Sequence, residues 1–212
     1  MERGLFITFE GGEGAGKSTQ VSLLAKRLAD LGIATLTTRE PGGAPGAEDI
    51  RNLLVNGDTD RWTPLSEALL NYAARAEHLD KTILPALDGG TCVVCDRFYD
   101  STTAYQGYGH GMDLTTLDNI RQAVLGDFKP DLTIMLDLPL ELGLERAVAR
   151  GGGEDRYERM GHEFHERLAQ GFRTIAAHEP DRCIIIEATA DIETIAETIW
   201  QTTCQRLGLA PS

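Results

Sequence analysis

Five short apolar runs punctuate the chain, separated by stretches whose apolar residues recur at helical spacing. Residues 4–9 (GLFITF), 33–40 (IATLTTRE), 91–96 (TCVVCD), 131–138 (DLTIMLDL) and 182–188 (RCIIIEA) read as strands, being short, rich in β-branched residues and bounded by turn or charged positions. Between the first two, Val21, Leu24, Leu28 and Leu31 predict a helix over 17–31 that Gly32 can terminate. Residues 46–57 form a short helical pattern ended by glycine. Thr63 can cap, and Pro64 open, a long helix running to about Leu87. Further helices are expected over 114–124, 139–149, 162–177 and 192–207, the last with Ile192, Ile195 and Ile199 on one face. Strands alternating with helices in this way predict a mostly parallel sheet covered on both faces. In such sheets ligands bind beyond the carboxyl ends of the strands, so the loops after the strands should share one crevice.

The size and composition fit this picture. The 212 residues suffice for one domain over 1–212, and 42% hydrophobic with 25% charged residues is ordinary for a globular chain. With 33 acidic against 20 basic side chains, the net charge of −13 argues against nucleic acid or anionic lipid as a partner. No run approaches the length of a membrane span, and the first residues carry no signal-peptide pattern. A cytoplasmic setting is the expectation. Cys92 and Cys95 resemble a redox or zinc pair, but positions i and i+3 of a strand point to opposite faces and no second pair completes a metal site. His78, His110, His162, His165 and His178 show no metal-ligand spacing either, and read as surface or packing residues.

The chemistry begins after the first strand. Gly11-Gly12-Glu13-Gly14-Ala15-Gly16-Lys17-Ser18-Thr19 contains a complete P-loop pattern. Its glycines let successive backbone N–H groups point at phosphate oxygens, and the helix beginning at Lys17 adds its positive end. Lys17 should reach the β- and γ-phosphates of a nucleoside triphosphate and Ser18 should bind Mg²⁺. Asp96, closing the third strand, is the candidate second Mg²⁺ partner, and Asp137, closing the fourth, is its competitor unless it caps the following helix. Arg39, Arg51, Arg75, Arg97, Arg150, Arg156 and Arg159 are the informative basic residues. Several follow strands directly, which in so acidic a chain suggests a second anion beside ATP. The run Gly151-Gly152-Gly153 between arginines reads as a mobile lid over about 150–160, whose arginines would meet the transferring phosphoryl group.

These motifs are similar to those of bacterial thymidylate kinases (dTMP kinases) over essentially the full length: FEGGEGAGKST (9–19), TREPGG (38–43), YAARAEHL (72–79), DRFYDSTTAYQG (96–107), VLGDFKPDLTIMLDL (124–138) and DRYERMGHEFHERL (155–168). The resemblance implies an α/β, three-layer P-loop NTPase fold with a five-stranded parallel sheet and a short lid. It also implies a homodimer that uses ATP and Mg²⁺ to convert dTMP to dTDP. It assigns Glu13 to the acidic position near the acceptor phosphate and metal, and a lid arginine, 150 or 156, to the transferring group. Arg39 and Arg97 would bind the dTMP phosphate and Arg75 the thymine edge. Ser101, Thr102 and Gln106 would line the base and sugar, and Tyr105 would lie under the deoxyribose and disfavour a 2′-hydroxyl. Glu10, Pro41, Arg51, Asn71 and Tyr72 complete the implied dTMP site, and Arg146 with 188–190 the adenine site. One departure concerns the position four before Arg75, where many members carry a thymine-stacking Phe. Here it is Asn71, so either Tyr72 takes over the stacking or the base is packed more weakly. Kinases of dCMP, UMP or a nucleoside, and a P-loop protein that binds without turnover, are the competing readings. A nucleic-acid-acting ATPase is disfavoured by the charge and the short chain.

Overall fold

The computed structural model describes residues 3–150 and 156–209, with Arg150 through its backbone alone. Five parallel strands form one sheet: β1 (Phe6–Gly11), β2 (Thr35–Arg39), β3 (Cys92–Asp96), β4 (Leu132–Asp137) and β5 (Cys183–Glu187), in the order β2-β3-β1-β4-β5. β1 lies at the centre, with Phe9 registered on Asp96 of β3 and Gly11 on Leu136 of β4. Because β1 connects to β2 on one side and β3 to β4 across it, the strand order reverses around β1. The loop after β1 therefore opens at the carboxyl edge where such sheets bind ligands.

Period-two alternation divides the core into two layers. Ile7, Phe9, Cys92, Val94, Ile134 and Ile186 face α1 (Lys17–Asp30) and α9 (Ile192–Leu207), which supply Val21, Leu24, Leu28, Ile195, Ile199 and Trp200. The other face, with Phe6, Val93 and Cys95, packs on α3 (Pro64–His78), α4 (Leu84–Asp88) and α6 (Leu114–Leu125). Met135 and Cys183 continue that face against α8 (His162–His178). Each fully buried Leu or Phe here contributes about 1.5–3 kcal/mol. Cys92 and Cys95 thus belong to opposite layers, and all four cysteines are buried free thiols.

Local signals explain most boundaries. Thr63 accepts from the amide of Ser66 and Pro64 opens α3, as the sequence predicts. Asp113 and Asp191 cap α6 and α9 in the same way. α2 (Pro45–Leu54) ends three residues before the expected Gly57. The long helix is interrupted: a π-turn over Leu79–Ile83 separates α3 from α4, immediately ahead of Pro85, which has no N–H to continue the ladder. Residues Tyr99–Thr102 form α5 and continue in a π-turn over Thr103–Gly109, a helical segment that the sequence pattern did not announce. Its apolar positions are sparse, but Gly109 seats directly against Phe164 of α8, where a Cβ would come within 2.5 Å of the ring. α7 (Leu140–Arg150) follows β4. None of the described helices is long and apolar enough to cross a membrane.

Candidate active site

The loop between β1 and α1 has the backbone its glycines require: Gly11, Gly14 and Gly16 have φ of 133°, 68° and 86°, all in the left-handed half of the map. At Gly14 the need is also steric, since a Cβ there would lie 2.0 Å from the carbonyl oxygen of Gly143 on α7. Lys17, buried at the first position of α1, donates to the carbonyls of Gly11 (3.1 Å) and Gly12 (2.7 Å). Its pKa falls to about 8, chiefly because burial penalises the cation and next because of the nearby Arg97 charge. Ser18 Oγ donates to Asp96 Oδ2 at 2.6 Å, which joins the helix start to the end of β3. These two hard oxygens fit Mg²⁺, which takes one or two protein ligands and keeps water and phosphate oxygens for the rest. Among the described residues no cluster of three or more His, Cys, Asp or Glu side chains could hold a metal by itself. The Asp137 carboxylate receives Arg173 Nε and Nη2, both at 3.0 Å.

A cavity of about 590 Å³ runs from this loop across the strand ends. At one end it is bounded by 13–19 and Arg146, whose Nη1 donates to Ala188 O at 3.3 Å. At the other end lie Arg39, Pro41, Arg51, Asn71, Ser101, Thr102 and Gln106. Asp96, Arg97 and Tyr105 stand between the two. Arg97 follows β3 with φ 73° and donates to Gly11 O (3.0 Å), Ser101 Oγ (3.2 Å) and Glu13 Oε1 (2.8 Å). Tyr105 OH donates to the same Glu13 oxygen at 2.6 Å. Arg39, half exposed, pairs with Glu48, while Arg51 donates to Pro41 O at 2.7 Å.

Behind this wall lies a buried polar layer. Glu10 accepts from Phe98 N, Ser101 N and Ser101 Oγ. Its pKa is pushed up to about 8, by burial first and then by Asp100. Arg75 is held by Glu40 (2.7 Å), Phe98 O and Thr102 Oγ1, and its Nη1 is buried without a hydrogen-bond partner. Glu40 also binds His78 Nδ1 at 3.0 Å, and His78 Nε2 meets Thr38 Oγ1 at 2.7 Å. His78 is therefore a packed scaffold residue.

Two sequence-derived placements need correction. Tyr72 does not reach the cavity; it is 1% exposed in the core, with its ring 4.7 Å from the Arg75 guanidinium carbon. Asn71 is the residue at the cavity wall, its Nδ2 donating to Glu67 O at 2.9 Å. Arg156 is not at the nucleotide end at all. It is fully buried, donates to the carbonyls of Leu54, Asp58 and Thr59, and pairs with Glu67. Its partners lie 89 to 102 residues earlier, which no local pattern reveals. The Arg150 side chain and the glycine run 151–153 lie outside the described residues. Glu40, Glu67 and Tyr157 went unnoticed as site residues. Glu40 alone had a signal, as a carboxylate between Arg39 and Pro41 at a strand end.

A family model described as thymidylate kinase matches residues 9–199. The chain is 53% identical over 209 residues to a thymidylate kinase of Caulobacter vibrioides, covering 99% of this chain and all of that protein. It is 53% identical over 208 residues to one of Rhodopseudomonas palustris, covering 97% and 90%. The crystal structure of thymidylate kinase from Ehrlichia chaffeensis superposes with a TM-score of 0.77 at 35% identity, covering 94% of this chain and 98% of that one.

Proposed function

The chain belongs to the thymidylate kinase family and transfers the γ-phosphoryl group of ATP to dTMP, giving dTDP and ADP, and from that premise we propose how its residues divide the work. Support comes from one continuous cavity that runs from Lys17 and Ser18, past Arg97 and Glu13, to Asn71 and Gln106. Its lining carries the phosphate loop and Arg146 as well as the acceptor residues Arg39, Asn71, Ser101 and Gln106, so two nucleotides would meet at Arg97.

In this reading the loop amides, Lys17 and Thr19 hold the ATP phosphates, and Arg146 stands at the adenine end. Mg²⁺, arriving with ATP, would be held by Ser18 and Asp96 and would neutralise charge on the β- and γ-phosphates. Arg97 and Arg39 hold the dTMP phosphate so that one of its oxygens points at the γ-phosphorus. The bond from that phosphorus to the β-phosphate oxygen breaks as the bond to the acceptor oxygen forms, and ADP leaves with the electron pair. The acceptor phosphate is ionised at neutral pH, so no protein base is needed; positioning and charge neutralisation suffice. Glu13 aims Arg97, and the Arg150 guanidinium is assigned to the transferring group. Arg75, whose buried Nη1 has no hydrogen-bond partner, and Gln106 recognise the thymine edge, while Tyr105 packs below the sugar.

A homodimer is part of the proposal, supported by Leu65 and Leu69 on α3, 47% and 50% exposed one turn apart; sedimentation equilibrium tests it. A cytoplasmic setting is proposed as well. The substrate assignment is tested by ADP formation from ATP and Mg²⁺ with dTMP, dUMP, dCMP, UMP, dGMP, AMP and thymidine as acceptors. Turnover concentrated on dTMP supports the placement of the base among Asn71, Gln106 and Arg75. A profile shifted to another base would move the specificity to a different set of contacts.

A further inference from the structure

Arg156 and Tyr157 are adjacent in sequence and do opposite things. Arg156 turns away from the cavity into the body of the protein and is fully buried. Its Nε, Nη1 and Nη2 donate to the carbonyls of Asp58 (3.0 Å), Leu54 (3.3 Å) and Thr59 (2.9 Å), and Nη1 also pairs with the Glu67 carboxylate. Arg159 adds a bond from Nη2 to Gly57 O at 2.6 Å. Two arginines of one short segment thus clasp the loop between α2 and α3. A guanidinium presents its donors in a rigid plane, so satisfying three carbonyls and a carboxylate fixes its position as well as its charge.

Tyr157 faces the other way and lines the cavity at its base end. Its ring meets Tyr105 edge-on, with centroids 5.3 Å apart, and the side chains of Asn71 and Glu67 lie close to its hydroxyl. Glu67 also receives Gln106 Nε2 at 2.6 Å. The Arg156 anchor and the acceptor wall therefore share one buried carboxylate.

We infer that Arg156 is a positioning residue for the acceptor nucleotide. It does not contact the transferring phosphoryl group; it locks Glu67 and the backbone at 156 so that Tyr157 closes the base end of the cavity against Asn71 and Tyr105. Tyr157 is then a specificity-determining residue, presenting an aromatic surface at the wall where position 71 carries an amide. The inference rests on the proposed placement of dTMP in this cavity.

The test is steady-state kinetics with both substrates varied on Arg156→Ala, Arg156→Lys, Tyr157→Ala and the double variant, each with a melting curve. Wild-type protein is measured first across the acceptor panel; failure to favour dTMP there would strike the base placement and leave the role of Arg156 to the variants. For Arg156→Ala the expected result is a KM for dTMP raised about tenfold or more, with kcat and the KM for ATP within about threefold. Tyr157→Ala should show the same split, and the double variant should be no worse than Tyr157→Ala, because Arg156 acts through Tyr157. A fall in kcat of about a hundredfold or more at unchanged KM for dTMP would place Arg156 on the phosphoryl group and overturn the inference. Unchanged kinetic constants with a lowered melting temperature, or additive losses in the double variant, would overturn it as well. If Arg156→Ala does not fold, Arg156→Lys, which keeps the charge but loses the planar fork, and Tyr157→Ala decide the question by the same split.

Discussion

The Arg97 guanidinium lies 2.8 Å from the Glu13 carboxylate, joining the residue after β3 to the middle of the phosphate loop. Tyr105 completes the unit: its hydroxyl shares the same carboxylate oxygen, and its ring lies 5.0 Å from the Arg97 guanidinium carbon. Burial works against the Arg97 cation, but Tyr105, Glu13, Asp96 and Glu10 outweigh it and raise its pKa, so Arg97 stays charged. Its left-handed backbone costs on the order of 1 kcal/mol, offset by the bonds that hold the side chain in place. The charge that would meet the acceptor is therefore aimed before any nucleotide arrives.

Arg97→Ala should lower kcat/KM for dTMP by about 10³-fold while leaving ATP binding nearly intact. Initial rates with dTMP varied, together with ATP titration calorimetry, check both halves. Turnover within about tenfold of wild type would remove Arg97 from the acceptor site.

Lys17 makes nucleotide binding proton-linked. Its folded pKa of about 8 lies below the ordinary 10.5, so between these values the unfolded chain holds a proton that the folded one has released. The cost of burying the cation is thus present below pH 8, and stability from this group rises as pH increases from about 8 to 10.5. Phosphates restore the charge, so ADP binding at about pH 8.5 should take up protons. Calorimetry in buffers of different ionisation enthalpy measures that uptake, and Lys17→Met should abolish it.

Glu40 is a buried carboxylate between Arg75 and His78, 4% exposed. Replacing it with alanine leaves Arg75 buried without its counter-charge, which costs about 3–5 kcal/mol. Urea denaturation should show this loss, and base discrimination should relax because Arg75 is no longer aimed.

Much of this architecture is legible in the chain. The five strands, the Thr63 cap with Pro64 and the phosphate loop rest on local patterns whose period or spacing has one physical meaning. The helical segment Tyr99–Gly109 is not legible, because its small and polar residues carry no stripe and its stability comes from packing on α8. Arg156 escaped for a related reason. A sequence shows an arginine beside glycines, but not whether it reaches outward to phosphate or inward to carbonyls of another loop. Tyr72 and Asn71 show the limit at single-residue scale, since neighbouring positions on a helix differ by about 100° and only the packed structure says which one meets the cavity.

Gly14→Ala tests the backbone of the loop. The new Cβ would press on the Gly143 carbonyl at 2.0 Å and sit at φ 68°. ATP affinity is expected to fall by about a hundredfold or more, with circular dichroism unchanged, whereas Gly12→Ala, where a Cβ meets nothing within 4 Å, should be far milder.

The opposed orientations of Cys92 and Cys95 turn the molecule into its own recorder. Cys92 and Cys204 are sealed in the layer beneath α1 and α9, Cys95 in the layer beneath α3, and Cys183 beside α8. Burial pushes the Cys92 and Cys183 thiols up to about 12 and Cys95 well above its ordinary value, so none reacts while its compartment stays shut. Timed exposure to an alkylating reagent, read residue by residue in a mass spectrometer, would therefore report which side of the sheet breathes first and how substrates quiet each side.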